Sequence, residues 1–376
     1  MAASPTVDPH HDLHSEQGRE RGEHPGRHAD PVIKVRDLAW LEFEKPDLDR
    51  ATVFALDFGF SVHLRTADAL YLRGTWSGTP CVVIRRGEQS RFVGPVFQAR
   101  DAGDLQRLER VTGRPVVDAD PLIGGQMVQL RDPSGVPVAV SYGAHETHAL
   151  ADQVPLHSNY GHAVARVNAT QRPPREPARI QRLGHVVLMS TSFQRDLDWY
   201  LEMFGLIVSD FLFLEGQRER GPSMAFIRCD NGETPSDHHT IAMTVGPRPG
   251  YVHSAYQVLD LDALAAGGAY LAERGYRRAW GIGRHIQGSQ IFDYWRDPER
   301  LMVEHFTDGD LFDCSVETGW SPMTSANLAQ WGPPVTRDFL DIEPSPSLVT
   351  SVVSSLRGDN ELDIPRLRAL MKAMSP

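Results

Sequence analysis

Cysteine is scarce: Cys81, Cys229 and Cys314 are the only three in 376 residues. No two of them form a CxxC pair and their number is odd. A disulfide framework is therefore not expected, and a reducing compartment such as the cytoplasm is. Long apolar runs are missing too. No stretch approaches the roughly 20 residues that span a bilayer, and the first residues carry no apolar core of a secretory signal, so no membrane partner is expected. Basic charge is in deficit: 38 Lys and Arg stand against 49 Asp and Glu, a formal net charge of -11. Nucleic-acid binding needs a concentrated basic surface, so no nucleic-acid partner is expected either. What remains is ordinary for a globular chain, 41% hydrophobic and 23% charged, and long enough for two domains.

Residues 1–31 hold almost no apolar side chains but include His10, His11, His14, His24 and His28. Such a segment cannot offset the entropy of ordering and is expected to be a disordered tail; a weak metal-binding tract is the other reading of its histidines. From Val35 the pattern changes. "VRDLAWLEFE" alternates as a strand does, and "DLDRATVFALDFG" reads as a helix stopped by Gly59. Strand-like runs at "ALYLRG" and "PCVVIRR" complete a β-α-β-β-β unit. "GPVFQAR", the helix "DAGDLQRLERVTG" and the hairpin "GQMVQLRDPSGVPVAVSYG" make a second.

The Pro-rich, charged "QRPPREPAR" then interrupts. "LGHVVLM", the helix "SFQRDLDWYLEMFG" and three further strands repeat the unit. "VHSAYQVLD", the helix "LDALAAGGAYLAERG" and the hairpin "SQIFDYWRDPERLMVEHF" repeat it again. "RDPSGVPVAV" lies over "RDPERLMVEH" without a gap, and a repeat of this kind dictates the fold. The expected class is α+β: two domains, each a pair of βαβββ modules forming an open curved sheet, four modules in total. The expected boundaries are a tail at 1–31, a first double module at 32–147, a linker at 148–180, a second double module at 181–310 and an extension at 311–376.

Duplication supplies an internal control. Where the second half has His185, His253 and Glu304, the first has Trp40, Gly94 and Ala139. The scaffold therefore does not require the two histidines or the glutamate. A lone strand histidine is more often a hydrogen-bonded core residue than a ligand. Glu304 is a sharper case, because in "LMVEHF" it shares a strand face with Met302 and Phe306. A buried, unpaired carboxylate costs several kcal/mol, and a divalent cation removes that penalty. Two imidazoles and one carboxylate from three strands form a facial triad that leaves positions open on iron(II) or manganese(II). A structural zinc site would close its fourth position with another protein ligand, often cysteine; none lies near these residues in sequence.

These residues resemble the vicinal oxygen chelate superfamily, and the second half resembles its type I extradiol ring-cleaving dioxygenases, over roughly residues 35–310. The spacing from His185 to His253 is 68 residues and from His253 to Glu304 is 51. "GRHIQGSQIFDYWRDPERLMVE" matches the family's run of histidine, tyrosine nine on and glutamate ten further, here His285, Tyr294 and Glu304. "HHTIA" matches its acid–base stretch and selects His239, fourteen residues before His253; a fifteen-residue spacing would select His238 instead.

The resemblance implies a catechol and dioxygen as substrates, with ring opening next to the two hydroxyls in aromatic degradation. It implies a cytoplasmic homo-oligomer with Fe(II), or Mn(II), held by His185, His253 and Glu304. Tyr294 would then hydrogen-bond one substrate oxygen, His285 would donate near the other, and His239 would be the acid–base catalyst, all three in the substrate site. A histidine suits that role because its ordinary pKa lies near neutrality. The competing readings are a 4-hydroxyphenylpyruvate dioxygenase-like oxygenase and a non-catalytic aromatic- or antibiotic-binding protein of the same fold.

Geometry adds one requirement. Tyr294 and Glu304 share a face only if the connection between their strands has five residues and pairs Arg296 with Met302. The extension beyond 310 is read as a lid or a brace, with "LDIPRLRALMKAM" as a terminal amphipathic helix at a subunit contact.

Overall fold

The computed structural model describes residues 17–325, 328–340 and 360–373, with positions 350, 352 and 355 between them. The first half contains β1 (Asp37–Lys45), α1 (Leu48–Phe58), β2 (Ser61–Arg65), β3 (Ala69–Arg73), β4 (Val82–Arg86), β5 (Arg91–Gln98), α2 (Ala102–Thr112), β6 (Val116–Asp118), β7 (Gln126–Arg131) and β8 (Pro137–Tyr142). The second contains β9 (Arg182–Ser190), α3 (Phe193–Phe204), β10 (Leu206–Leu214), β11 (Met224–Cys229), β12 (Ser236–Asp237), β13 (Ile241–Val245), β14 (Gly250–Gln257), α4 (Leu261–Glu273), β15 (Arg277–His285), β16 (Ile291–Arg296) and β17 (Met302–Thr307). Beyond these lie β18 (Leu311–Phe312), β19 (Gly319–Met323), β20 (Ala329–Trp331) and α5 (Ile364–Ala373).

The local signals explain the helices. Asp47 caps α1 by accepting from the backbone of Asp49 and Arg50, and Gly59 ends it at φ 105°. A Cβ at Gly59 would also lie 1.7 Å from the Ala178 carbonyl oxygen. Asp101 and Asp104 close a capping box on α2. The strands follow the repeat. The first sheet runs β2-β3-β4-β1-β5-β8-β7-β6, two four-stranded modules joined back to back through β1 and β5. The second runs β19-β10-β11-β13-β9-β14-β17-β16-β15-β20. Within it, β10-β11-β13-β9 and β14-β17-β16-β15 repeat the same two modules, and β19 and β20 of the extension add one strand at each edge. In every module the first strand pairs parallel with the last.

The two halves share buried core. Lys45, 4% exposed, reaches across to Asp297 and Glu299. His305 donates from Nε2 to the Phe58 carbonyl at 2.8 Å, its ring stacked on Phe58. Because successive strand residues face opposite sides, His305 serves this interface while Glu304 faces the other way.

Residues 17–31, expected within a disordered tail, are placed against the second half. Arg27 bridges Ile207, Val208 donates to the Gly26 carbonyl, and Arg218 donates to Glu23, Gln17 and the Gly18 carbonyl. Polar docking of this kind leaves no periodic apolar signal. His10, His11 and His14 lie outside the described residues. The terminal helix packs one face on its own chain, where Leu370 is buried and Arg366 donates to the Arg220 carbonyl, and leaves Ile364 and Met371 exposed.

Candidate metal centre

Three neighbouring strands of the second sheet, β9, β14 and β17, bring His185, His253 and Glu304 together. Ala255 is the shared register point, paired with His185 on one side and Glu304 on the other. One ligand atom from each residue lies within 4.8 Å of the others. Exposure is 2% for His185, 6% for His253 and 0% for Glu304. The Nε2 atoms of both histidines stand 3.3 Å from Glu304 Oε2. Yet among the described residues Nε2 of His253 and both oxygens of Glu304 have no partner in hydrogen-bond geometry. Buried donors and acceptors are otherwise almost always satisfied. Three sets of lone pairs aimed at one point, close but not bonded to each other, fit a divalent cation.

Electrostatics agree with that fit. Burial alone would raise the Glu304 carboxyl, but the two imidazoles beside it outweigh burial and hold it well below the usual carboxylate range. Burial pushes His253 down, with Glu304 opposing. A neutral imidazole and an ionised carboxylate are the forms that ligate a metal.

Tyr294 pairs directly with Glu304 across β16 and β17, and Arg296 with Met302. The connection therefore has the five residues needed to put Tyr294 and Glu304 on one face. Tyr294 Oη lies 2.8 Å from His285 Nε2. Burial, and then the Glu304 charge, raises the Tyr294 hydroxyl well above its ordinary value, so it stays protonated. His285 Nδ1 lies 2.7 Å from the Leu328 carbonyl oxygen. A carbonyl only accepts, so the His285 hydrogen is on Nδ1. Burial pushes this ring down to about 4, and in its neutral form Nε2 must accept from Tyr294. The donor role expected of His285 toward substrate thus needs its protonated form, which burial disfavours.

His239 stands against His185, ring centroids 4.0 Å apart, and is 4% exposed. Burial, then His185, pushes its pKa well below the ordinary value. His238 lies behind it and is 1% exposed. Its Nδ1 is 3.1 Å from His239 Nδ1 and its Nε2 is 2.7 Å from Asp210 Oδ2. Of the two histidines the sequence left open, His239 is the one in ring contact with the triad.

Sequence reasoning missed Asp210, the Leu328 carbonyl and an apolar wall of Trp280, Phe292 and Phe339 packed around Tyr294. Asp210 left a trace as the lone charge within the buried run "LIVSDFLFL". A cavity of about 770 Å³ lies between the halves and is not lined by the triad. Phe306 lines it, with its ring 5.6 Å from that of His185.

No protein-family model matches the chain. It is 30% identical over 343 residues to metapyrocatechase 2 of Cupriavidus necator, covering 88% of this chain and 98% of that protein. It is 23% identical to an iron-dependent extradiol dioxygenase of Rhodococcus jostii (strain RHA1), covering 80% and 97%. Among solved structures, homoprotocatechuate 2,3-dioxygenase from Brevibacterium fuscum superposes with a TM-score of 0.68 at 19% identity, covering 86% of this chain and 96% of that one.

Proposed function

The chain belongs to the extradiol dioxygenases of the vicinal oxygen chelate superfamily, and from that premise we propose that it opens the ring of a catechol-type aromatic with dioxygen at His185, His253 and Glu304. The observation that carries this reading is the buried Glu304 carboxylate, without a hydrogen-bond donor among the described residues and faced by two imidazoles. In the reaction the ring carbon–carbon bond beside the two hydroxyl-bearing carbons breaks. Both atoms of dioxygen enter the product, so no outside reductant is needed.

A divalent ion held there supplies Lewis-acid polarisation and an electron path between ring and dioxygen. Iron(II) is the proposed ion in preference to manganese(II), in keeping with the iron-dependent relative. The chain supplies the rest. His239 takes a catechol proton and later returns it. Tyr294 Oη, anchored at His285 Nε2, orients the ring. The wall of Trp280, Phe292 and Phe339 excludes water and accepts an aromatic face. Three free cysteines accord with the cytoplasm, and among the described residues no helix is long and apolar enough to cross a membrane. A homo-oligomer is part of the same proposal.

The test is anaerobic loading with iron(II), then a catechol panel under air with oxygen uptake recorded. A yellow ring-fission product with one dioxygen consumed per catechol is expected. Metal and aromatic binding without oxygen uptake would leave a binding protein instead.

A further inference from the structure

Asp210, His238 and His239 form a chain of hydrogen bonds that ends at the metal centre. Asp210 is 8% exposed. A carboxylate accepts and cannot donate, so the 2.7 Å contact places a hydrogen on His238 Nε2. In the neutral ring this leaves a lone pair on His238 Nδ1. The hydrogen in the 3.1 Å contact between the two Nδ1 atoms then belongs to His239. A neutral His239 with its hydrogen on Nδ1 carries a lone pair on Nε2, the nitrogen that His238 does not engage.

The surroundings hold this arrangement in place. The His238 carbonyl accepts from Ser209 Oγ at 2.6 Å, and Ser209 Oγ accepts in turn from the fully buried Arg228. Gly288 passes directly over the ring: its φ is +78°, and a Cβ there would lie 3.0 Å from His238 Nδ1. The scaffold does not require these residues. Val82 of the first half and Ile241 of the second hold the same register place beside the first strand of their modules. Counting back two and three residues gives Pro80 and Thr79 against His239 and His238.

We propose that Asp210 and His238 are positioning residues that lock His239 in the Nδ1–H tautomer, so that its Nε2 is presented as the proton acceptor for the catechol hydroxyl. The inference rests on the ring-cleaving function proposed above. The logic is that of a catalytic triad, in which a carboxylate fixes the tautomer and orientation of the base without itself reacting.

Two measurements test it. The first is a long-range ¹H–¹⁵N correlation spectrum of the zinc(II)-loaded, diamagnetic protein, which reads the tautomer directly. The expected result is hydrogen on Nδ1 of His239 and on Nε2 of His238; hydrogen on Nε2 of His239 would overturn the proposal. The second compares His238→Asn with His238→Phe in the iron-loaded enzyme. Asn offers an oxygen near the former Nδ1 and can still accept from His239, whereas Phe keeps the ring shape and accepts nothing. Phe is expected to lower kcat by about 10- to 100-fold with little change in KM or iron content, and Asn to restore most of the loss. Phe matching or exceeding Asn would mean that His238 is packing, and the proposal would fall. A wild-type enzyme that opens no catechol would remove the proposed function while leaving the tautomer measurement intact.

Discussion

The two halves carry the same modules in the same strand order, yet only the second brings two histidines and a glutamate together on this sheet face. In the first half Trp40 pairs with Val96 and Val96 with Ala139; in the second His185 pairs with Ala255 and Ala255 with Glu304. Glu42 opposite Gly94 corresponds to Val187 opposite His253. The first half fills this face with Trp40, Tyr71, Val96, Met127 and Ala139 in one buried cluster. The second leaves a carboxylate and imidazoles there without full protein partners. One scaffold thus accepts either a packed core or a ligand set. The second choice is tolerable only if something outside the protein completes it.

The largest expected effect comes from making the second half like the first. Glu304→Ala reproduces Ala139 and removes the only carboxylate of the triad. Metal content by elemental analysis should fall to background and turnover with it. Retention of stoichiometric metal would break the comparison at its centre.

The reverse exchange should fail for a different reason. Gly94 holds the place of His253, but a Cβ there would lie 2.0 Å from the Pro137 carbonyl oxygen. Gly94→His should destabilise the protein by about 3 kcal/mol in denaturant titration, as overpacking of a filled site does, and should recruit no metal. A variant as stable as the parent would show that the first half is merely unused rather than closed.

Removing the proposed base should separate binding from chemistry. His239→Ala should leave metal content intact and lower kcat by about a hundredfold or more, read by oxygen uptake at saturating catechol. Loss of metal in this variant would place His239 among the ligands.

Much of this was legible in the sequence because a duplicated chain carries its own reference. Strings such as "RDPSGVPVAV" and "RDPERLMVEH" align by eye, and the differences between them point to the ligands. Other features could not be read. His238 and His239 are adjacent, and only the start of β13 and the ring contacts distinguish them. Asp210 lies 28 residues from His238, and one acid in an apolar strand carries no label for its partner. The Leu328 contact to His285 is made by a carbonyl, which every residue possesses. The docking of residues 17–31 rests on ion pairs and backbone bonds, and composition reports neither.

The smallest expected effect tests the outer ring of the site. Across β16 and β17 Tyr294 faces Glu304; across β7 and β8 Gln129 faces Ala139. The strand that carries His285 runs nine residues, whereas its counterpart β6 runs three and stops at Asp118. Asp118 pairs with Gln126 as Arg284 pairs with Ile291, so the next residue, Ala119, holds the place of His285 and is packed in the first half's buried cluster. Tyr294→Phe keeps the ring against Trp280 and Phe339 and removes only the hydroxyl. His285 remains held at Nδ1 by Leu328, so its ring does not swing, but its Nε2 loses its donor. Metal content should hold and kcat should fall by about tenfold, or about 1.4 kcal/mol in barrier. If catechol KM rises while kcat holds, Tyr294 serves binding alone, and the catalytic difference between the halves narrows to the triad and His239.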